Sequence, residues 1–200
     1  MSASPLIVGL GGTTRPDSTS ETALRLALAA AERLGARTAC LTGPEIDLPH
    51  YDPAQEGRCD RARRLVALLR EPDGVILSSP AYHGGPSGMI KNALDYTENM
   101  RKDARPYLDE RAVGLIVAAY GAQAMGTTLT ALRSVVHALR GWPTPLAITL
   151  NGQEGPFRDG QPATDALAGQ FEIMARHIVG FATRGVGGKD RGRAEVARTG

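Results

Sequence analysis

The chain has little of what most often reveals a chemistry. Its 200 residues hold two cysteines, Cys40 and Cys59, outside any CxxC or other metal-ligand spacing. That count excludes a disulfide framework and fits a reducing compartment. Cys40 lies in an apolar run and reads as a small core residue, whereas Cys59 sits in a polar segment and reads as exposed. No apolar run approaches the roughly 18 residues of a membrane span, and the first residues lack the basic and apolar regions of a signal peptide. A soluble cytoplasmic protein that does not enter a membrane is therefore expected. The motif GxxxxGK[ST] is missing, as is GxGxxG, because the required glycines are replaced by Thr14 and Asp17. No Ser–His–Asp order, paired carboxylates or metal spacing stands out, so no metal and no catalytic side chain is assigned.

Charge of one sign is also scarce. The formal net charge is +2, and its excess is terminal: Arg184, Lys189, Arg191, Arg193 and Arg198 stand against Asp190 and Glu195, a local +3. Residues 1–183 therefore carry about −1, which is +2 less +3. A basic end of this kind is poor evidence for a nucleic-acid partner. Residues 185–200 include GVGGKDRGR, lack apolar spacing and read as a disordered basic tail. Residues 1–184 then form one domain.

What is present is an alternation of short apolar runs and helical patterns. Leu6–Leu10, Thr38–Thr42, Gly74–Ser79, Ala112–Tyr120 and Pro145–Leu150 are strand candidates. Helices are expected over Ser20–Leu34, Asp60–Arg70, Gly88–Asn99, Gly126–Leu139 and Thr164–Thr183. Five strands interleaved with helices predict an α/β domain with a parallel sheet covered on both faces. The two longest irregular pieces, Gly43–Gly57 and Asn151–Ala163, each follow a strand and so fall at the carboxyl edge, where such sheets bind ligands.

The segment GGTTRPDSTSE, Gly11–Glu21, lies between the first strand and the first helix. Thr13, Thr14, Ser18, Thr19 and Ser20 supply hydroxyls, Arg15 supplies a planar cation, and the helix start supplies unpaired amides. This suits one terminal phosphate. A strand-to-helix loop with Ser20 as N-cap accounts for the same residues equally well. A second segment, SSPAYHGGPSGMIKNALDYTEN, Ser78–Asn99, follows the third strand. Its prolines and glycines predict a bent loop whose exposed amides can wrap a flat heteroaromatic ring.

Together these segments resemble the NAD(P)H-dependent FMN reductase family of the flavodoxin-like fold, which includes flavin, quinone and azo-dye reductases. The family's first motif, roughly G-S-x-R-x-x-S-x-N, is matched by Gly12–Ser20, with Thr13 for Ser and Ser20 for Asn. The second, roughly P-E-Y-N-x-x-x-P-G-x-L-K-N-A-[IL]-D-[WY], is followed by Pro80–His83 and Gly88–Tyr96. Ala81 stands for Glu, His83 for Asn and Ile90 for Leu, and Pro86 comes one place early. The loop DLPHYDP, Asp47–Pro53, and the segment AAYGAQAMG after the fourth strand also fit.

The resemblance implies a doubly wound five-stranded parallel sheet of order 2-1-3-4-5. It implies FMN held through Thr13, Arg15, Ser18, Thr19 and Ser20 at the phosphate. Pro80, Ala81, Tyr82, His83, Gly84 and Gly85 would lie along the ring, and Ala119, Tyr120, Gly121 and Gly126 by its pyrimidine side. NADPH or NADH would supply hydride, and a small-molecule electron acceptor would receive it in a ping-pong cycle. A homodimer or homotetramer packed through Gly88–Asn99 and Gly126–Leu139 is implied as well. Two alternatives stand beside this: a reductase supplying reduced FMN to a partner monooxygenase, and a non-enzymatic electron carrier. One Trp, five Tyr and three Phe, on a body near −1, argue against an acidic, aromatic-walled carrier. His50 and Tyr51 are candidates for the substrate mouth. Lys91, Asn92 and Asp95 read as structural.

Overall fold

The structure, a computed structural model, describes residues 4–55 and 59–196, with side chains through residue 184. Strands β1 (Leu6–Gly11), β2 (Arg37–Thr42), β3 (Gly74–Tyr82), β4 (Ala112–Ala119) and β5 (Ile148–Asn151) form one sheet. They lie in the order β2-β1-β3-β4-β5, each neighbouring pair parallel, so the expected topology holds. The last edge strand is split. Trp142–Pro143 pairs with the start of β4, and pairing resumes at Ile148 rather than Pro145. Pro143 and Pro145 have no amide to give a ladder. In addition, the Thr144 hydroxyl donates to the Leu146 carbonyl (2.7 Å), turning the chain between the two pieces.

Alternation along each strand divides the core. Val8, Leu10, Val75, Leu77, Val113 and Leu115 face one layer, with α2 (Asp60–Arg70), α3 (Gly88–Asp95) and α4 (Ala122–Ala138). Ile7, Ile76, Ile116, Ile148 and Leu150 face the other, with α1 (Thr19–Arg33) and α5 (Asp165–Val196). The α1 face is mostly alanine, with Leu24 and Leu28, and it lies close against β1. A Cβ on Gly9 would stand 2.8 Å from Leu28 Cδ1 and 2.9 Å from Leu24 Cδ1, so a side chain there would have to displace both leucine methyls. Gly114 plays the same part beneath Met174 and Ile178 of α5.

Three helices depart from expectation. The third ends at Asp95 and continues as a 3₁₀ turn, Tyr96–Met100, where the Thr97 hydroxyl donates to the Leu94 carbonyl (2.6 Å) and competes with the helical ladder. The fourth begins at Ala122, not Gly126, because Ala122, Gln123, Ala124 and Met125 are all good helix formers and let the helix start directly after Gly121. The backbone of α5 runs past the expected end at Thr183 to Val196; residues 197–200 and the tail's side chains lie outside the described residues. No helix of the described residues is long and apolar enough to cross a membrane.

At the amino end of the sheet, Arg111 is fully buried. Its guanidinium donates to the carbonyls of Pro72 (3.0 Å), Tyr107 (2.9 Å), Arg70 (2.9 Å) and Asp109 (3.3 Å). Burial, and then the nearby Arg105, push its pKa down to about 10, which leaves it charged at neutral pH. The two cysteines are both half-buried, Cys59 included, and burial holds the Cys40 thiol above its ordinary pKa.

Candidate functional site

At the opposite, carboxyl end the chain opens a cleft of about 570 Å³. Thr13, Arg15, Ser18, Thr19 and Ser20 line one part, Pro80, Ala81 and Tyr82 a second, and Ala118, Ala119, Tyr120 and Gly152 a third.

The first wall follows from helix-end chemistry. Ser18, not the expected Ser20, is the N-cap of α1: its Oγ accepts from the Glu21 amide (3.2 Å), and its carbonyl accepts from the Thr22 amide (2.9 Å). Thr19 and Ser20 are the first two residues of the helix, so their amides have no carbonyl one turn back to bond. Ser20 is placed from below, where the Ser78 hydroxyl donates to its carbonyl (2.7 Å). The Thr13 hydroxyl accepts from the Arg15 amide (3.1 Å), which folds the loop so that Arg15 lines the same cleft. The amides, the hydroxyls, a guanidinium and the positive end of the helix converge here without a carboxylate in the lining.

The second wall is the end of β3. Ala81 and Tyr82 pair antiparallel with Gly85–Pro86, making a two-residue hairpin whose tip, His83 and Gly84, has φ of 52° and 82°. This is a tighter object than the bent loop expected from the sequence. His83 takes a left-handed conformation that histidine tolerates better than most residues, and it points to solvent. His83, Gly84 and Gly85 accordingly do not line the cleft. Ser79 locks the hairpin by donating to the Pro80 carbonyl (2.7 Å) and accepting from the Ser87 amide (2.9 Å).

Gly12 couples the two walls. Its amide donates to the Ser78 carbonyl (2.9 Å), and a Cβ there would stand 2.1 Å from Ile90 Cγ1 and 2.5 Å from Ser87 Oγ. The third wall is the end of β4 with the loop after β5. Tyr120 lies over Gly152, where a Cβ would come 3.0 Å from its ring. Gly121 is the N-cap of α4 and Gly126 lies within that helix, so neither reaches the cleft. Ala118 and Gly152 were not singled out from sequence; only the length of the loop after Asn151 hinted at the latter.

Tyr82 and Tyr120 are 58% and 68% exposed, large rings held at the rim with little to cover them. His50 and Tyr51 are not in the cleft: His50 is exposed, and Tyr51 packs edge-on against Tyr96 with centroids 5.2 Å apart. Asn92 holds that loop, accepting from the Tyr51 amide (2.8 Å) and donating to the carbonyls of Leu48 (3.2 Å) and Pro49 (2.9 Å). Lys91 pairs with Asp95 (2.6 Å) on the exposed side of α3. Among the described residues no group of three or more His, Cys, Asp or Glu is placed to hold a metal ion.

A family model described as NADPH-dependent FMN reductase matches residues 5–154. The chain belongs to this family. All twelve cleft residues lie inside the matched span. The chain is 30% identical over 136 residues to the FMN-dependent NADPH-azoreductase of Staphylococcus saprophyticus, covering 68% of each. It is 27% identical over 121 residues to the NADPH azoreductase of Bacillus sp. strain OY1-2, covering 60% of this chain and 64% of that one. An iron–sulfur flavoprotein of Methanocaldococcus jannaschii is 29% identical over 105 residues, 48% of this chain and 53% of the relative. These matches thus span between 53% and 68% of the relatives' lengths.

Solved structures share the fold at lower identity. The flavoenzyme NAD(P)H:acceptor oxidoreductase FerB of Paracoccus denitrificans superposes with a TM-score of 0.72 at 19% identity, over 90% of this chain and 98% of that one. A flavodoxin-type, WrbA-like protein of Agrobacterium tumefaciens gives 0.62 at 17%, over 91% and 99%.

Proposed function

We propose that the chain binds FMN in this cleft and is an NAD(P)H-dependent oxidoreductase that passes reducing equivalents to a small-molecule acceptor. The observation that carries the reading is the convergence, in one cleft, of an anion cradle at the start of α1 with two ring-sized walls. The donor set fits a phosphate monoester. The amides of Thr19 and Ser20, the hydroxyls of Thr13, Ser18, Thr19 and Ser20, and the Arg15 fork would take its oxygens. Pro80, Ala81 and Tyr82 would support one edge of a flat ring, and Ala118, Ala119 and Tyr120 the other. FMN, when bound, supplies the hydride-accepting and electron-donating chemistry itself. The chain's residues need only bind, orient and shield, which agrees with the lack of an acid–base pair in the cleft.

The exposure of Tyr82 and Tyr120 supports a site with one open face. NAD(P)H and the acceptor must then use that face in turn, which is the basis for a ping-pong cycle. A neighbouring subunit in a homodimer or homotetramer would complete the face. Helix α4 suits that role: from Ala122 to Ala138 it carries a single permanently charged residue, Arg133, and only Thr128, Leu132 and Val136 are fully buried, with Met125, Leu129 and Val135 partly so. We take NADPH as the donor by the family's description, the cytoplasm as its location, and azo compounds or quinones as acceptors to try first.

Anaerobic mixing of the yellow protein with NADPH tests this reading. The flavin absorbance near 450 nm should bleach in one fast phase and return on adding the acceptor. Purified protein that binds no FMN, or bound FMN that NADPH and NADH leave oxidised, would overturn it.

A further inference from the structure

A second opening of about 860 Å³ adjoins the cleft. Thr19 and Gly152 belong to both, so the two share a wall at the first residue of α1. Beyond that wall lie Asp17, Thr22, Pro156 and Phe157. The far side is a hairpin in which Phe157–Arg158 pairs with Gln161–Pro162 around the turn Asp159–Gly160, both of positive φ. The Ala163 amide closes its base on the Pro156 carbonyl (2.9 Å). Phe157 is fixed from behind by Phe171, with ring centroids 6.4 Å apart and planes 28° from parallel. This hairpin lies after residue 154, outside the span that matches the family, so the groove owes one wall to a segment the family match leaves out.

The chemistry of this groove is that of a nucleoside site. Phe157 gives a half-buried aromatic ring for a base to pack against. Asp17, the only ionised side chain in the lining, gives a carboxylate of the kind that accepts from ribose hydroxyls. The lining holds no cation, and Arg25, whose charge Asp17 feels, is paired with Glu21, so a 2′-phosphate would meet the Asp17 carboxylate in the groove itself. That charge pattern favours an unphosphorylated ribose and disfavours the adenosine end of NADPH. A group in the groove would be joined to a phosphate at the start of α1, because Thr19 is where the two openings meet.

We infer that the groove formed by Asp17, Thr22 and the Phe157–Pro162 hairpin takes the adenosine half of FAD. The cleft thus accepts the dinucleotide flavin as well as FMN. This rests on the proposed binding of the flavin phosphate at α1, and it revises the expectation from sequence of a cradle limited to one terminal phosphate.

The test is titration of flavin-free protein with FMN and with FAD by calorimetry. Wild type should bind FAD within tenfold of FMN. Thr22→Trp, which fills the groove from a half-buried helical position, should weaken FAD at least tenfold and change FMN less than twofold. Asp17→Asn keeps a residue that tolerates the positive φ of 53°, and it should weaken FAD several-fold with FMN unchanged. Binding of FMN without FAD in wild type, or equal FAD affinity in wild type and both variants, would overturn the inference and leave the FMN reading intact. Failure of both flavins to bind would overturn both. If the variants instead raise the KM for NADH while leaving FAD unchanged, the groove serves the nicotinamide dinucleotide and the assignment to FAD is wrong. Circular dichroism melts of the variants, expected within a few degrees of wild type, separate these outcomes from misfolding.

Discussion

The two ends of the sheet treat polar groups in opposite ways. At the amino end, Arg111 is sealed from solvent and spends its donors on four backbone carbonyls of its own chain. At the carboxyl end, the helix-start amides, the hydroxyls and Arg15 face an open cleft, and two tyrosines stand exposed beside them. Both ends hold an arginine on backbone-rich loops, yet only one is internally satisfied. A buried cation whose partners are all main-chain carbonyls is a brace; we propose that an arginine lining a cleft with hydroxyls and helix-start amides is a group that binds an anion.

Substitutions sharpen this contrast. Arg111→Ala should have the largest effect, because it leaves buried carbonyls without donors and opens a cavity. A loss of about 3–5 kcal/mol is expected in urea or thermal unfolding. Flavin affinity of the fraction that remains folded should be close to wild type, since the site lies at the far end of β4. If Arg111→Ala unfolds no more easily than wild type, the brace is misassigned.

Gly12→Ala comes next, and it should affect both properties. The added methyl meets Ile90 and Ser87, so the α3 N-terminus and the phosphate loop must move apart. Overpacking of this kind costs about 1–3 kcal/mol. Flavin binding should fall with it, because Ser87 is held by Ser79 behind Pro80 and Ala81. Wild-type melting and flavin affinity in Gly12→Ala would show that the loops are not packed as described.

The smallest effect is expected from removing residues 185–200. The last buried side chain of α5 among the described residues is Ala182, so the domain core should be complete without them. We expect a melting temperature within about 2 °C of wild type, well under the 2–4 °C shift that 1 kcal/mol gives in a domain of this size. A larger drop would show that the end of α5 docks on the body.

Much of this arrangement was legible in the sequence because local rules and global packing agree. Continuous apolar runs such as Ala112–Ala119, too short for a buried helix and set between helical patterns, read as strands buried on both faces, and from them follow the sheet and its coverage. Ten of the fifteen expected cofactor residues line the cleft, since a motif fixed between a strand and a helix has one place to go. The five that do not are His83, Gly84, Gly85, Gly121 and Gly126. Each follows from a backbone decision that residue types leave open: a hairpin tip for the first three, and an early start of α4 for the last two. Ser18 and Ser20 are equally good caps, and only the fold, through the Ser78 hydroxyl on the Ser20 carbonyl, settles which one caps. Gly152 lines the cleft through long-range packing against Tyr120, a contact no local pattern carries. Arg111 left no trace in the sequence, because its partners are main-chain carbonyls.

The central claim is that the open arginine is a phosphate ligand, and flavin binding to wild type and Arg15→Ala tests it most directly. A charge-assisted contact of roughly 1.5–3 kcal/mol corresponds to a loss of about one to two orders of magnitude in FMN affinity. Riboflavin, which has no phosphate, should bind both proteins alike, and stability should change by less than about 0.5 kcal/mol. Equal FMN affinity in wild type and Arg15→Ala, or a matching loss of riboflavin affinity, would contradict the account.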